Sequence, residues 1–569
     1  QPTHQGVITL RSSLRCDADI RLIWLSVPAL PLPYAAQTRL DFDGYWCREL
    51  QENKAAIAPG VYMRESRSGR HGHDKFPGLV LSTHAATNTR GQVWGMHYAW
   101  SGGTRIIAEA GICRQVQAGH ASGCEQGFGR EFATAEAIIA YGNRGINALA
   151  CQYQDYARAI MPAAACLPRR VHYNCWEAIY FDHDEAILQD LASRAHNLGA
   201  ERFVLDDGWF VGRNDDSCAL GDWQIDAKKY PNGLTPLIAH VKKLGMDFGL
   251  WVEPEMISEK SALYRTHPNW ILGRPTQPLW RNQYVLDMSL SAVQDYVITA
   301  LCNILAQYDI ACLKWDHNRA LPVNDAEQTR GLYHVLAEIN RRFPDLEIET
   351  CASGGGRMDY GMLQFCTRVW LSDSNDALVR WQMQQNAAIF MPGCMTGSHV
   401  GPRICHTTAR SFPMAFRVWV AATRHMGFEM DLRELDAHET DVLRATTAWW
   451  KEGRAWRMQA NILMIDIMDD ACIGELHMHP SGGKFVVFIG LLDTPSTTNI
   501  PPIALPGLDV NAAYELTMIT KDNVPKHSSG DNAFKHGKLK ASGFALSHHG
   551  VQIPLMHPAS MMVFEGVRL

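Results

Sequence analysis

Hydrophobic and polar positions change period three times along the chain. Up to about residue 132 the apolar residues alternate or run in short segments, at 7–10, 20–25 and 91–100. Gly, Pro and Ser clusters separate these runs, which predicts antiparallel β structure of the sandwich type over residues 1–132. From 133 to 161 Ala and Ile recur every three to four residues, the helical period. Pro162 and Pro168 then break the pattern, so 133–166 reads as a helical linker. From 167 to 465, short apolar runs alternate with amphipathic helical stretches. The runs lie at 171–174, 203–206, 248–251, 284–287, 310–315, 346–349, 369–371 and around 393–395. The intervening helical stretches include 185–197, 235–244, 292–307 and 327–342. Such an alternation predicts an α/β fold, a (β/α)8 barrel of the TIM type. A last helix is expected at 439–458, and strand-like runs at 485–489, 514–518 and 561–564 predict a small C-terminal antiparallel sandwich over 466–569.

Composition adds exclusions. Hydrophobic content of 46% and charged content of 20% are those of an ordinary globular protein. The net charge of −6 comes without a long basic run, so neither nucleic acid nor an anionic membrane is an expected partner. No apolar run approaches the roughly 18 residues of a membrane span. The 15 cysteines are scattered and form no C-x-x-C pair, which fits a reducing cytoplasm and supplies no zinc spacing. His71 and His73 lie in a polar stretch, 64–74, and read as loop histidines. The chain opens on Gln1 in mid-pattern, so the natural N-terminus is expected to lie upstream.

In a parallel α/β barrel the residues just after each strand face the active site. Here these are Asn174-Cys175-Trp176-Glu177, Asp206-Asp207-Gly208-Trp209, Glu253-Pro254-Glu255, Arg281, Lys314-Trp315-Asp316, Cys351 with Gly354-Gly355-Gly356, and Trp370-Leu371-Ser372-Asp373. Carboxylates and cations that bond hydroxyls, beside indoles that stack on C–H faces, suit a sugar. Phosphate is a poor fit, because no Gly-rich loop ends in Lys-Ser/Thr. No His/Asp/Glu set has compact ligand spacing, so no metal and no cofactor are expected. Two carboxylates from different strands permit glycoside hydrolysis. Asp206, Asp207, Glu253, Glu255, Asp316 and Asp373 are the candidates, and spacing does not choose among them. Asp316 has Lys314 beside it to keep it charged, whereas Asp373 lacks a basic neighbour and desolvation would raise its pKa, as an acid needs. Glu253 and Glu255 read as groups that fix the barrel mouth.

These motifs, in their order, resemble the α-galactosidases of glycoside hydrolase family thirty-six. The match runs through Trp176-Glu177-Ala178, Asp206-Asp207-Gly208-Trp209-Phe210, Gly221-Asp222-Trp223, Gly249-Leu250-Trp251-Val252-Glu253-Pro254-Glu255-Met256, Arg281-Asn282-Gln283, Lys314-Trp315-Asp316-His317-Asn318-Arg319, Cys351-Ala352-Ser353-Gly354-Gly355-Gly356-Arg357 and Ser372-Asp373-Ser374-Asn375-Asp376-Ala377. The resemblance implies Asp316 as nucleophile and Asp373 as acid/base. It places Asp206 and Asp207 at the O4 and O6 region of galactose, and Trp223, Arg281, Lys314, Cys351 and Gly354 around the same subsite; Trp370, from its strand-end position, reads as one of the indoles that stack on the sugar. It implies a retaining exo-α-galactosidase acting on small oligosaccharides such as melibiose and raffinose, and a cytoplasmic homotetramer. Two departures stand out, Ala352-Ser353 for the commoner Ser-Ser and His317 for the usual Met. Alternatives on the same scaffold are an α-N-acetylgalactosaminidase, with Cys351 near O2, and a galactosyl-transferring enzyme of the raffinose-synthase type. A sugar-binding protein without hydrolysis is the alternative from another class.

Overall fold

The computed structural model describes residues 6–166, 168–497, 500–525 and 532–569. At its centre eight parallel strands close into a barrel: β1 (His172–Asn174), β2 (Arg202–Leu205), β3 (Asp247–Val252), β4 (Cys312–Trp315), β5 (Glu347–Thr350), β6 (Arg368–Trp370), β7 (Thr396–Val400) and β8 (His425–Phe428). Closure is parallel, with His172 opposite Gly427 and Tyr173 opposite Phe428. Every barrel strand is buried along nearly its whole length, as expected for a sheet covered on its outer face by helices.

Two expected strands differ from the observed set. The run at 284–287 is not in the barrel. Gln283–Val285 pairs antiparallel with Met256–Ser258 in a two-stranded excursion after β3. The five-residue helix Ala262–Thr266 and a short 3-10 turn, Pro268–Trp270, lie between those two strands. The missing strand is β8, which starts three residues beyond the end of the helix Met414–Ala422, so only Thr423-Arg424 separates the two elements. The weak run at 393–395 precedes the true β7.

The N-terminal part folds as a six-stranded antiparallel sheet, which includes the hairpin Thr38–Tyr45/Arg48–Ala56, and a four-stranded one, Leu30–Pro31, Arg114–His120, Thr104–Ala110 and Gly60–Ser66. The expected helical linker begins later than the sequence pattern suggests. Ala137–Gly142 is a strand of the larger sheet, and the helix is Gly145–Ile160. A short Ala/Ile run satisfies either period, and pairing with Val93–Tyr98 decides it. The C-terminal β layer is a six-stranded antiparallel sheet that begins with Asn461–Met464 and ends with Ser560–Arg568 in its interior. Arg424 and Glu475, both buried, join it to the barrel by two hydrogen bonds of 2.5 and 2.8 Å. Among the described residues no helix is long and apolar enough to cross a membrane.

Candidate active site

The C-terminal ends of the barrel strands open into a cavity of about 540 Å³, within the range of roughly 300–1,000 Å³ usual for small-molecule sites. Of the ten residues expected here, seven line it: Asp206, Asp207, Arg281, Lys314, Asp316, Trp370 and Asp373. Alternation along β4 explains two of them. Lys314 and Asp316 point into the barrel mouth, while Trp315 and His317 point outward onto Glu255. His317 is therefore not a rim residue. Its ring is buried with Nδ1 3.4 Å from Glu255.

Asp316 is held as an anion. Its Oδ1 accepts from the backbone N–H of His317 (2.8 Å) and of Ser353 (3.3 Å), and its Oδ2 from Asn318 Nδ2 (2.6 Å) and Trp251 Nε1 (3.2 Å). Burial alone would favour the neutral acid, but Lys314, the Asn318 hydrogen bond and Arg281 outweigh it and lower the pKa below the ordinary carboxylate value. Asp373 goes the other way. Burial first, and then the negative charge of Asp316, push it up to about 6, against the pull of Lys314. Its Oδ1 accepts from Trp370 Nε1 (3.1 Å) and its Oδ2 from Trp46 Nε1 (2.9 Å).

The cations and acceptors beneath are paired. Lys314 Nζ donates to Asp206 Oδ2 at 2.8 Å, and Asn174 Nδ2 donates to the same oxygen at 2.6 Å. Asp207 accepts from Arg213 through both oxygens, 2.9 and 2.7 Å. Strand alternation does not forbid this neighbouring pair of aspartates, because β2 ends at Leu205 and both lie beyond it. Glu253 and Glu255 do not line the cavity. Glu253 accepts from Gln283 Nε2 (2.7 Å) and from the backbone of Asn318 (2.6 Å). Glu255 holds Arg357 (2.7 Å).

Three expected residues stand behind the wall. Trp223 packs on Phe210 and Trp209, with centroids 5.0 and 6.1 Å away, whereas Trp251 does line the cavity. Cys351 is buried beneath Asp316, whose anion it helps to stabilise, and its Sγ accepts from the N–H of Gly354 at 3.4 Å. Gly354, at φ +85°, acts by what it lacks, since a Cβ there would lie 2.7 Å from the backbone N of Asp373. The next glycine takes part in a second close approach. The loop bearing Gly72 reaches the barrel so tightly that a Cβ on Gly72 would stand 2.0 Å from the carbonyl of Gly355.

That contact brings in residues that sequence reasoning missed. Trp46, at the tip of the first hairpin, and Arg70 line the cavity from the N-terminal sheets, and Arg70 Nη1 donates to Ser353 Oγ at 2.9 Å. No barrel periodicity could have marked them. Glu429 follows the overlooked β8 and is held by His399 Nδ1 at 2.8 Å. Tyr180, Trp280 and His406 come from connecting segments, and His406 pairs with Glu177 at 3.2 Å. Among the described residues one group has metal-like spacing, His120, Cys124 and Glu125. It does not line this cavity, and both oxygens of Glu125 already accept from Arg330.

Comparison with known proteins agrees with this fold. Residues 131–460 match the melibiase family, and residues 2–123 match the glycosyl hydrolase family 36 N-terminal domain. The chain is 36% identical to an α-galactosidase of Escherichia coli over 99% of its own length and 82% of that enzyme's. It is 35% identical to the α-galactosidase AgaA of Geobacillus stearothermophilus, covering 75% of this chain and 62% of that one. The crystal structure of AgaA superposes with a TM-score of 0.87 at 30% identity, over 95% of this chain and 76% of that one. A variant of AgaA crystallised with stachyose gives 0.90 at 29% identity, over 99% and 80% of the two chains. With both the barrel region and the N-terminal domain matched, the chain belongs to glycoside hydrolase family 36, the melibiase family.

Proposed function

We propose that this glycoside hydrolase is a retaining exo-α-galactosidase that removes terminal α-linked galactose from small oligosaccharides such as melibiose and raffinose. The observation that carries the reading is the opposed electrostatics of two aspartates in one cavity. Asp316 is held below the ordinary carboxylate pKa, and its charge helps to push Asp373 up to about 6. One is an anion ready to attack carbon, the other a proton donor.

Asp316 attacks the anomeric carbon from the β face while Asp373 gives its proton to the departing glycosidic oxygen. The resulting β-linked ester is then hydrolysed by a water that Asp373, now a carboxylate, deprotonates, so two inversions leave the α configuration. Asp206 and Asp207, fixed by Lys314 and Arg213, are the acceptors that distinguish an axial O4 from an equatorial one. An unpaired partner there costs a few kcal/mol. No cofactor enters any step. Support for the substrate comes from relatives named α-galactosidase and from a neighbour crystallised with raffinose. Assembly as a homotetramer and a cytoplasmic location complete the proposal.

The test is a proton NMR time course on nitrophenyl α-galactoside, run beside its N-acetyl analogue and again at high sugar concentration. α-Galactose appearing first, with little turnover of the N-acetyl compound and little transfer product, is expected. β-Galactose as the first product overturns the retaining assignment. Faster cleavage of the N-acetyl compound, or transfer outrunning hydrolysis, overturns the substrate or reaction assignment.

A further inference from the structure

Both oxygens of Asp373 are engaged by indole N–H groups, yet the two indoles are held very differently. Trp370 belongs to β6 and is 1% exposed, its ring packed between the Arg380 guanidinium at 4.2 Å and the His399 ring at 4.2 Å. Trp46 is 54% exposed. It is one of the two residues, Trp46 and Cys47, that turn the hairpin between the paired Tyr45 and Arg48, and Cys47 sits at φ +64°. A left-handed backbone is an uncommon place for a non-glycine side chain. The root of the hairpin is fixed, because a Cβ on Gly44 would lie 2.2 Å from the carbonyl of Gly72. The tip is the free part, and it carries an indole into the cavity from outside the barrel.

For Asp373 to act as an acid, one of its oxygens must point its proton at the glycosidic oxygen, and of the two indoles on it only the exposed Trp46 can move aside to let a substrate approach. We propose that Trp46 is a positioning residue that holds Asp373 in the free enzyme and gives up its place on Oδ2 to the glycosidic oxygen when substrate binds. This rests on the reading of Asp373 as the acid. The proton carried on that oxygen then passes to the glycosidic oxygen as its bond to the anomeric carbon breaks and the bond to Asp316 forms, so no further reactant is needed. Trp370, locked on Oδ1, keeps the carboxyl plane fixed during the exchange.

The arrangement makes a signed prediction. An N–H donor stabilises the carboxylate over the acid, so Trp46 lowers the pKa of Asp373 while it is bound. The other groups facing Asp373 are Asp316, Lys314 and Cys351 from the barrel, Glu49 and Cys47 from the hairpin, Arg70 from the neighbouring loop and Arg380 from the following helix. Trp46→Phe removes the N–H donor, together with one ring of the indole, and leaves those charges in place.

The experiment measures kcat/KM and kcat against pH for the wild type, Trp46→Phe and Asp373→Asn, on raffinose, whose poor leaving group needs the proton. The basic limb of kcat/KM reports the free enzyme, that of kcat the complex. In Trp46→Phe the limb of kcat/KM should move up by about one pH unit, the worth of a hydrogen bond to a charged group, while the limb of kcat stays. No movement in kcat/KM overturns the role of Trp46 and leaves the acid assignment intact. Equal movement in both shows that the indole stays on Asp373 throughout and overturns the exchange. A basic limb that persists in Asp373→Asn overturns the acid assignment itself.

Discussion

The ammonium of Lys314 lies 2.8 Å from the carboxylate of Asp206, and its charge also helps to keep Asp316, two residues further along the chain, ionised. One cation thus serves both the proposed sugar-binding acceptor and the proposed nucleophile. Replacing it by Met removes both effects. Asp316 then loses the strongest influence opposing its burial, so the acid limb of kcat/KM should move to higher pH. The lost interaction, about 1.5–3 kcal/mol for a hydrogen bond to a charged group, should lower kcat/KM roughly ten- to hundredfold. An unchanged acid limb in Lys314→Met would show that Lys314 does not set the charge of Asp316.

The same electrostatics give the wild-type profile. Asp373 must carry its proton to act, and its pKa is about 6, so kcat/KM should fall as pH rises through that value. Asp316 must be ionised, and its pKa is lowered, so the fall on the acid side should come below the ordinary carboxylate range. The expected optimum is mildly acidic. In Asp373→Asn, nitrophenyl galactoside should retain far more of its rate than raffinose, because only the poorer leaving group needs the proton. Equal losses on the two substrates would contradict the acid role.

Arg213 tests the other acceptor. It is fully buried and meets both oxygens of Asp207. Arg213→Met leaves a buried carboxylate without its partner, which should cost about 3–5 kcal/mol of stability and raise KM for galactosides. Chemical denaturation and steady-state kinetics on the same preparation check both, and a variant as stable as the wild type would refute the pairing.

Far from the cavity, Glu475 predicts a share of the acid sensitivity. Burial favours its neutral form, but Arg424 and His477 outweigh this and bring it down to about 2 from an ordinary 4.5. A depressed carboxyl pKa stabilises the folded state fully above the unfolded value and loses that contribution as pH falls through the folded one. The Glu475 contribution should therefore fade between about 4.5 and about 2. Glu475→Gln should be less stable at neutral pH and show a shallower loss of stability over that window. A slope equal to that of the wild type would contradict it.

How much of this could be read from the chain varied with the physics. The residues that cap apolar strand runs, Asp206, Lys314, Asp316 and Asp373, were legible because strand-end polarity is local. The eighth strand was not, because only Thr423-Arg424 separates the short run His425-Met426-Gly427-Phe428 from an apolar helix, and Glu429 was missed with it. The run at 284–287 looks like a barrel strand because β propensity does not say which sheet a strand joins. Trp223 and Trp251 are both tryptophans in family motifs, and only packing shows which one meets the cavity. Trp46 and Arg70 arrive from sheets more than 240 residues away from Asp316 in sequence, a tertiary fact without a local signal.

The most direct test is to trap the covalent intermediate. A fluorinated α-galactosyl fluoride, which slows hydrolysis of the ester more than its formation, is incubated with the enzyme, and the labelled peptide is identified by mass spectrometry. The account predicts one galactosyl label, on Asp316, together with loss of activity in Asp316→Asn. A label on another carboxylate, or an Asp316→Asn enzyme that still turns over, would contradict it.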